Sequence, residues 1–291
     1  MKRFAILNPV AGNGKTGRLQ RQLLEKISDI IGGYAVSEYP GHCSEIAARE
    51  SSADVFVAIG GDGTIGEVVN GMDCTRQRLA VIPTGTGNSL ARDMGIRTLK
   101  QAFTRVHAEG DSPIDLLDFS FTFSDGTAGR RLCTSTASIG YAARVTDLAN
   151  RHLKKLGPLC YPVASFYAAL RNSAIPLHVS VDGEQGDDLW RTGIIFQNVR
   201  FAANFELFPD TCSSDGSADL METDAGFFGQ VLHIVSVLTR LGFYRPVSVR
   251  SAASVDLELQ HPQLLMIDGE IVRDIIRVSM KVKPGALRCC R

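Results

Sequence analysis

Residues Val55–Gly71 read VFVAIGGDGTIGEVVNG, and this stretch predicts a strand, a glycine-rich turn and a helix in direct succession. Its first five residues are all apolar, which is typical of a buried parallel strand. Three glycines interrupt the strand, and apolar residues then recur with helical spacing up to Gly71, a plausible helix stop. The unpaired N–H groups and the dipole at such a helix start favour a bound phosphate.

The same turn contains Asp62, which does not suit a site built for anions alone. A carboxylate beside phosphates indicates bound Mg²⁺, or a base for an attacking hydroxyl. The alternative is a tight strand-to-helix turn in which Asp62 caps the helix. One glycine-rich turn does not decide between these interpretations.

Composition limits the class of protein. The chain has 291 residues, is 44% apolar and carries a net charge of +0, which predicts one large or two modest domains and disfavours nucleic acid as the main partner. Its seven cysteines show no zinc-ligand spacing and suit a reducing compartment. Met1-Lys2-Arg3 leads directly into a strand, and no apolar run approaches the roughly 18–20 residues that span a bilayer. We therefore expect a cytoplasmic protein.

Two further glycine-rich turns follow predicted strands. Residues 8–15 follow a strand at 3–7, and residues 83–88 follow a strand at 79–82. Alternating strands and helices imply a parallel sheet, in which ligands bind beyond the carboxyl ends of the strands. Because all three turns lie at that edge, together they predict nucleotide binding. Asn8 either offers its amide to a phosphate or ribose or starts an Asn-Pro turn.

The remaining pattern divides the chain into two parts. Further strands are predicted over residues 34–39, 115–123, 131–138, 177–182, 191–197 and 247–260. Helices are predicted over residues 19–31 (ended by Gly32-Gly33), 42–50, 89–94, 99–106, 142–156 and 166–170. The β-rich half favours a sandwich with helical insertions that packs against the first domain and leaves a cleft. The predicted domains are 1–123 and 124–279, with 280–291 as a candidate to complete the first.

Several motifs together resemble one protein family. The N-terminal motifs, in order, are Asn8-Pro9 with Ala11-Gly12, Gly60-Gly61-Asp62-Gly63-Thr64, and Gly85-Thr86-Gly87-Asn88 with Ala91-Arg92. They resemble the diacylglycerol kinase catalytic domain, and above all the bacterial soluble lipid kinases related to sphingosine and ceramide kinases. The likeness continues through Ser138–Tyr141, Lys155–Pro158 with Tyr161, Asp215-Gly216 and Asp268-Gly269-Glu270. It thus covers nearly the whole chain.

The resemblance implies an α/β fold of two domains: a phosphofructokinase/NAD-kinase-like, doubly wound nucleotide domain and a β-sandwich that carries the lipid site. It implies transfer of the γ-phosphoryl group of ATP, with Mg²⁺, to the hydroxyl of a lipid such as diacylglycerol. The lipid would be presented at a membrane surface, so the implied enzyme is peripheral and touches the membrane transiently. Whether it forms a homo-oligomer is left open.

The resemblance also implies roles for individual residues. The implied ATP contacts are Asn8, Ser37, Gly60, Gly61, Asp62, Gly63, Thr64, Ile65, Gly66 and Thr86. Asp268 would accept the proton, Glu270 is the other available carboxylate, and Asp62 would support Mg²⁺ or the hydroxyl. A second, structural Mg²⁺ would lie near Asp215 with the backbone carbonyls of Cys212 and Ser217.

Two of the later motifs have a simpler interpretation. Asp268-Gly269 is equally typical of a hairpin turn, and Asp215-Gly216 of an ordinary turn. The chain also departs from the family, with Gly66 where Asn is usual and Ser89 where bacterial members often have Asp. The stretch 201–205 replaces the usual glycine cluster, so the structural metal is in doubt.

Two alternatives and two surface features complete the predictions. NAD kinases share the GGDGT turn, and a non-catalytic nucleotide-binding regulator fits the departures. The basic residues Arg144, Arg151, Lys154 and Lys155 either meet anionic headgroups or form a solvated helix face. The apolar stretch 227–243 either lines an acyl-chain pocket or belongs to the core.

Overall fold

The structure is a computed structural model of the chain. It describes residues 1–171, 173–202, 205–206, 208–223, 226, 229–230, 232, 236 and 248–291. The predicted apolar helix at 227–243 therefore lies almost entirely outside the described residues, as do residues 203 and 204 of the stretch 201–205.

The N-terminal part is a parallel sheet with helical crossovers. Its strands are β1 (Arg3–Leu7), β2 (Ile31–Val36), β3 (Val55–Gly60) and β4 (Arg78–Pro83). Its helices are α1 (Ala11–Glu25), α2 (His42–Arg49), α3 (Asp62–Gly71), α4 (Ser89–Asp93) and α5 (Leu99–His107). The strands are parallel, in the order β2-β1-β3-β4, and every residue of β3 is buried. The predicted strand, turn and helix at 55–71 are confirmed.

One predicted helix end is wrong. Helix α1 ends at Glu25, and Gly32 and Gly33 lie inside β2 instead of ending the helix. The reason is tertiary: a side chain at Gly33 would begin 3.1 Å from the ring of Phe4 on the neighbouring strand. The glycine therefore makes room for that ring. The predicted glycine-rich turn is present and overlaps the start of α1, where Gly12, Asn13 and Gly14 have positive φ.

The C-terminal part is built mainly of antiparallel strands. They are β5 (Asp111–Phe123), β6 (Ala128–Cys133), β7 (Thr136–Gly140), β8 (Ile175–Val181), β9 (Asp187–Arg191), β10 (Gly193–Gln197), β11 (Phe201–Ala202), β12 (Phe205–Glu206), β13 (Ala218–Thr223), β14 (Ser248–Ala252), β15 (Ser254–Ile267) and β16 (Glu270–Cys290). The helical insertion comprises α6 (Tyr141–Leu148), a π-helical segment (Ala149–Leu153), a 3₁₀ segment (Lys154–Leu159) and α7 (Cys160–Leu170). In the part of the chain that the structure describes, no helix is both long and apolar enough to cross a bilayer.

Three predicted elements are divided in the structure. The strand predicted over 131–138 is two strands, β6 and β7, because Thr134 and Ser135 between them turn their N–H groups toward a side chain. The strand predicted over 247–260 is likewise β14 and β15. The helix predicted over 142–156 changes to π and 3₁₀ geometry after Leu148.

Strand β16 joins the two parts of the molecule. Along most of its length it pairs antiparallel with β15 and β5. Its last residues pair parallel with β4, with Arg288 opposite Arg78 and Cys289 opposite Leu79. The strand contributes Leu287 to the core around the N-terminal sheet and Val278 to a second core among the antiparallel strands. The C-terminal residues thus extend the first sheet, while the division at 123/124 stays a prediction.

The contact between α2 and α3 yields a test of the fold. A Cβ atom at Gly71 would lie 2.1 Å from the carbonyl oxygen of Ser44, so Gly71→Ala must push the helices apart. We expect it to lower the free energy of unfolding by about 1–3 kcal/mol, measured by urea denaturation. Gly32→Ala is the matched control because its Cβ would meet no atom closer than 3.6 Å. Equal stability of the two variants would contradict this packing.

Candidate active site

The three glycine-rich turns meet at the carboxyl edge of the parallel sheet. A Cβ atom at Gly85 would lie 2.4 Å from the Cα of Gly61, and one at Gly12 would lie 2.2 Å from the carbonyl oxygen of Thr84. The turns therefore touch backbone to backbone, which only glycine allows at these positions. The expectation that the three turns converge is confirmed.

Asn8 ties two of these turns together. Its side-chain amide donates to Thr64 Oγ1 at 3.1 Å, and its Oδ1 accepts from the N–H of Val10 at 3.2 Å. Its own backbone N–H donates to the carbonyl of Ile59 at 3.0 Å. Asn8 thus starts the turn, as one interpretation predicted, and also lies on the wall of a cleft.

A cleft of about 960 Å³ runs from these turns into the antiparallel part. The predicted ATP contacts that line it are Asn8, Ser37, Gly61, Asp62, Gly63, Thr64 and Thr86. Gly60, Ile65 and Gly66 lie behind the wall, and Ile65 is fully buried. Residues of the antiparallel part and its helical insertion also line the cleft, and their apolar side chains include Val145, Tyr161, Ile195, Phe208, Met221 and Met266. One cavity therefore joins a phosphate-binding geometry to an apolar pocket.

Asp62, at the start of α3, has one carboxylate oxygen without a hydrogen-bond donor among the described residues. Its Oδ1 is buried and has no hydrogen-bond partner within the described ranges. Burial raises the pKa of Asp62 to about 6, the nearby Asp268 carboxylate adds to the rise, and the N–H groups of Ser89, Leu90 and Asn88 partly oppose it. An orphaned carboxylate oxygen beside glycine turns suits a hard cation such as Mg²⁺.

Asp268 is fully engaged by the protein itself. Its Oδ1 accepts from the N–H and hydroxyl of Ser135 at 2.8 and 2.6 Å, and its Oδ2 from those of Thr134 at 2.8 and 3.1 Å. Asp268 and Gly269 have φ of +48° and +88°, so they form the two-residue turn of the β15–β16 hairpin. The residue is therefore in the predicted turn and also beside the site.

Helix α3 carries the contact between the two halves of the site. A Cβ atom at Gly66 would lie 3.2 Å from Asp268 Oδ2, so the glycine lets the hairpin rest directly on the helix. Asp62 lies at the start of the same helix, and the Asp268 carboxylate is near enough to raise the pKa of Asp62. The expectation that a C-terminal carboxylate meets the GGDGT turn is borne out by the geometry.

Glu270 is a second carboxylate of the hairpin, and it lies on the wall of the cleft. It lines the cleft, forms an ion pair with Arg131 at 2.5 Å and shares a hydrogen bond with Glu67. Burial raises the pKa of Glu270 and the Glu67 carboxylate adds to the rise, whereas the Arg131 guanidinium lowers it. A Cβ atom at Gly63 would lie 3.6 Å from Glu270 Oε1, so this carboxylate reaches the glycine turn.

Sequence reasoning missed Glu67 and Arg131. Glu67 is buried, and its two oxygens accept the N–H groups of Gly41 and Cys43 at 2.9 and 3.1 Å at the start of α2. The available signal was a glutamate set among the apolar residues Ile65, Val68 and Val69 of α3. Arg131 lies on β6 next to Arg130, and nothing in the sequence distinguishes the two.

The implied second metal does not fit the loop that contains Asp215. Asp215 is exposed, and its Oδ1 accepts the N–H and hydroxyl of its own neighbour Ser217, both at 3.0 Å. The buried Asp115 holds the loop instead, accepting the N–H groups of Gly216 and Gly285 at 2.7 Å each. Cys212 is exposed, and the described residues contain no group of three or more acidic, His or Cys side chains arranged so that they could hold a metal ion. The simple-turn interpretation fits this loop.

The predicted basic helix face is only partly described. Arg151 pairs with Asp147 at 3.0 Å and remains 53% exposed. Arg144 is partly buried, with its guanidinium 3.5 Å from the carbonyl oxygen of Ser173. The side chains of Lys154 and Lys155 lie outside the described part of the chain.

Two family models match the chain. The Diacylglycerol kinase catalytic domain matches residues 2–119, and the YegS C-terminal NAD kinase beta sandwich-like domain matches residues 135–291. The chain is 27% identical to a diacylglycerol kinase of Staphylococcus saprophyticus, over 91% of this chain and 87% of that protein. It is 28% identical to a diacylglycerol kinase of Bacillus subtilis, over 93% and 90%. The fold resembles a solved diacylglycerol kinase from Bacillus anthracis, with a TM-score of 0.76 over 99% and 96% of the chains at 19% identity.

The raised pKa of Asp62 predicts a pH-dependent stability. The carboxyl has its ordinary pKa of 3.8 in the unfolded chain and about 6 in the fold, so the folded state binds the proton more tightly between these values and stability falls as pH rises through them. Asp62→Asn should lack this fall. In Mg²⁺-free buffer at pH 7.5 we expect it to be more stable than wild type by about 1–3 kcal/mol, with little difference near pH 4.

Urea unfolding at both pH values measures the difference. Asp73→Asn is a control of opposite sign, because hydrogen bonds from Thr75 lower the pKa of Asp73 and its contribution is lost as pH falls. An Asp62→Asn variant that is less stable than wild type at pH 7.5 would contradict the buried charge.

Proposed function

The chain belongs to the bacterial lipid kinase family that joins a diacylglycerol kinase catalytic domain to a β-sandwich, and on that premise we propose that it transfers the γ-phosphoryl group of ATP to the hydroxyl of a lipid. The observation that carries the proposal is one cleft that is lined both by the three glycine turns and by apolar side chains of the antiparallel part and its helical insertion. Such a cavity suits a triphosphate and an acyl-bearing alcohol side by side.

The glycine turns are proposed to hold the ATP phosphates. The proposed contacts in the cleft wall are Asn8, Ser37, Gly61, Asp62, Gly63, Thr64 and Thr86. Phosphoryl transfer is promoted mainly by positioning and by neutralising charge, so backbone N–H groups and a helix start are suited to it. Asp62 would hold Mg²⁺ through its orphaned oxygen, and that ion would neutralise charge on the phosphates.

We assign the proton acceptor to Glu270 in preference to Asp268. Asp268 already accepts four hydrogen bonds of 3.1 Å or shorter, so taking the substrate's proton would break at least one of them. Glu270 lines the cleft with a raised pKa, which makes it a better base. Arg131 keeps Glu270 ionised and oriented, and Glu67 opposes that effect. Asp268 positions the hairpin that carries Glu270.

Diacylglycerol is the proposed acceptor because the relatives are named diacylglycerol kinases and because apolar side chains line much of the cleft. A lipid with two acyl chains resides in a membrane, so the proposed enzyme works from the cytoplasm and meets the membrane transiently. The near-neutral charge of the whole chain offers no general attraction to nucleic acid.

Labelled ATP tests the proposal. Purified protein with γ-labelled ATP, Mg²⁺ and dispersed diacylglycerol should place label in phosphatidic acid, resolved by thin-layer chromatography. Reactions with total lipid extract and with NAD run in parallel. Label in another lipid would replace diacylglycerol as the acceptor, formation of NADP would identify an NAD kinase, and ATP binding with no transfer to any acceptor would favour a non-catalytic regulator.

Two variants separate the roles of the hairpin acids. Glu270→Gln keeps the shape but removes the base, so we expect kcat to fall about 10²–10⁴-fold with nucleotide affinity and Tm retained. Asp268→Asn turns an amide NH₂ toward N–H donors, so we expect it to lose about 1–3 kcal/mol of stability. Steady-state kinetics and thermal unfolding measure both. A fully active Glu270→Gln enzyme would remove Glu270 from the acceptor role.

A further inference from the structure

Glu67 is a buried carboxylate with hydrogen-bond partners on two different elements. One of its oxygens accepts the N–H of Gly41 at 2.9 Å, and the other accepts the N–H of Cys43 at 3.1 Å. The same side chain is 6% exposed, lines the cleft and shares a hydrogen bond with Glu270. Glu67 therefore joins the start of α2 to the acid at the start of β16.

One face of α3 fixes the surroundings of Glu270. Gly63 and Glu67 are four residues apart, so they share a face, and both lie next to the Glu270 carboxylate. Asn70 lies one turn further along. Its side chain hydrogen-bonds the N–H and the carbonyl of the residue after Arg131, both at 2.8 Å. The helix thus holds both Glu67 and the strand whose guanidinium pairs with Glu270.

A hydrogen bond between two carboxyl groups requires a proton, because an ionised carboxylate has none to donate. Glu67 is suited to accept this bond, since it already receives two N–H groups and lies at a helix start, where the dipole favours negative charge. Burial raises the pKa of Glu270, the Arg131 guanidinium lowers it and the Glu67 carboxylate raises it. The proton of the pair therefore belongs on Glu270.

We propose that Glu67 is a positioning residue for the phosphoryl transfer, and that it accepts a hydrogen bond from Glu270 once Glu270 has taken the proton of the acceptor hydroxyl. This inference rests on the proposed function. In the transfer, the hydroxyl oxygen bonds to the γ-phosphorus, and the bond from that phosphorus to the ADP oxygen breaks with its electron pair leaving on ADP. The hydroxyl proton moves to a carboxylate oxygen of Glu270, which then donates it to Glu67.

The elements packed against Glu270 bring several charged or titratable groups near it. They are Arg131 on β6, Glu67 on α3, Cys43 on α2, Asp62 beside Gly63, and Asp268 in the same hairpin. Burial raises the pKa of Cys43 to about 12, so its thiol stays neutral over the range of an assay. The charges of Arg131 and Glu67 act on Glu270 with opposite sign, and each can be removed by one substitution.

The pH dependence of kcat tests the proposal. Glu270 must be ionised to accept a proton, so kcat should rise with pH through the pKa of Glu270. Glu67→Gln removes the neighbouring negative charge and should move the midpoint of that rise down by about one pH unit. Arg131→Gln removes the positive charge and should move it up. A residue that merely supported the fold would lower kcat at every pH and leave the midpoint in place.

Two further variants serve as controls. Arg130 is the neighbour of Arg131 but pairs with Asp118 at 2.6 Å, so Arg130→Gln should keep the wild-type midpoint. Glu67→Asp keeps the charge but draws it back from Glu270 by one methylene, so its midpoint should fall less than that of Glu67→Gln. Thermal unfolding establishes which variants are folded. A wild-type midpoint in folded Glu67→Gln, or in Glu67→Asp where only that variant folds, overturns the proposal.

Carbon NMR measures the same pairing without turnover. In protein that is isotope-labelled at the glutamate carboxyl carbons, the Glu270 signal is the one that Glu270→Gln removes. With no nucleotide or lipid present, this signal should titrate above the ordinary pKa of 4.5 in wild type and at lower pH in Glu67→Gln. A Glu270 signal that titrates at the same pH in both proteins would contradict the inference.

The two measurements distinguish this inference from the proposed function. If wild type labels no lipid, but its Glu270 signal titrates at lower pH in Glu67→Gln, the proposed kinase is refuted and the carboxyl pair stands. If wild type labels lipid, but Glu67→Gln changes neither the midpoint of kcat nor the Glu270 signal, the kinase stands and the role of Glu67 is refuted.

Discussion

The carboxylate of Asp268 is the interaction on which the rest of the site depends. It fills the gap between β6 and β7, where the N–H groups of Thr134 and Ser135 have no strand partner, and it rests on α3 at Gly66. Buried N–H groups without partners are costly, so this one side chain completes three elements from distant parts of the chain. The hairpin that follows then carries Glu270 to the glycine turn.

The carboxylates around that hairpin differ in their hydrogen-bond partners and neighbouring charges. Asp268 is surrounded by donors, Glu270 contacts both Arg131 and Glu67, and Asp62 has a buried oxygen without a partner among the described residues. Three acids that look alike in the sequence therefore have different surroundings. These surroundings are the basis for the proposed roles: positioning for Asp268, proton acceptance for Glu270 and cation binding for Asp62.

Asp93 at the end of α4 joins the two parts of the molecule. It accepts from Ser213 at 2.9 Å and from Arg200 at 2.9 Å, and both donors belong to the C-terminal part. Within the C-terminal part, Asp115 accepts the N–H groups of Gly216 and Gly285. Asp115 thus holds the loop at which the resemblance implied a structural metal.

The sequence by itself determined the parallel sheet, the three glycine turns at its edge and the family, because short apolar strands, helical periodicity and glycines at fixed positions are local signals. Only the tertiary structure decided the surroundings of each acid. Glu67 and Arg131 enter the site from separate elements, the predicted strand at 131–138 is broken by a carboxylate more than a hundred residues away, and Gly32-Gly33 sit in a strand because of a neighbouring ring. Such contacts join residues that are distant in the chain, and their pKa values follow from burial and neighbouring charge, which the linear order of residues does not record.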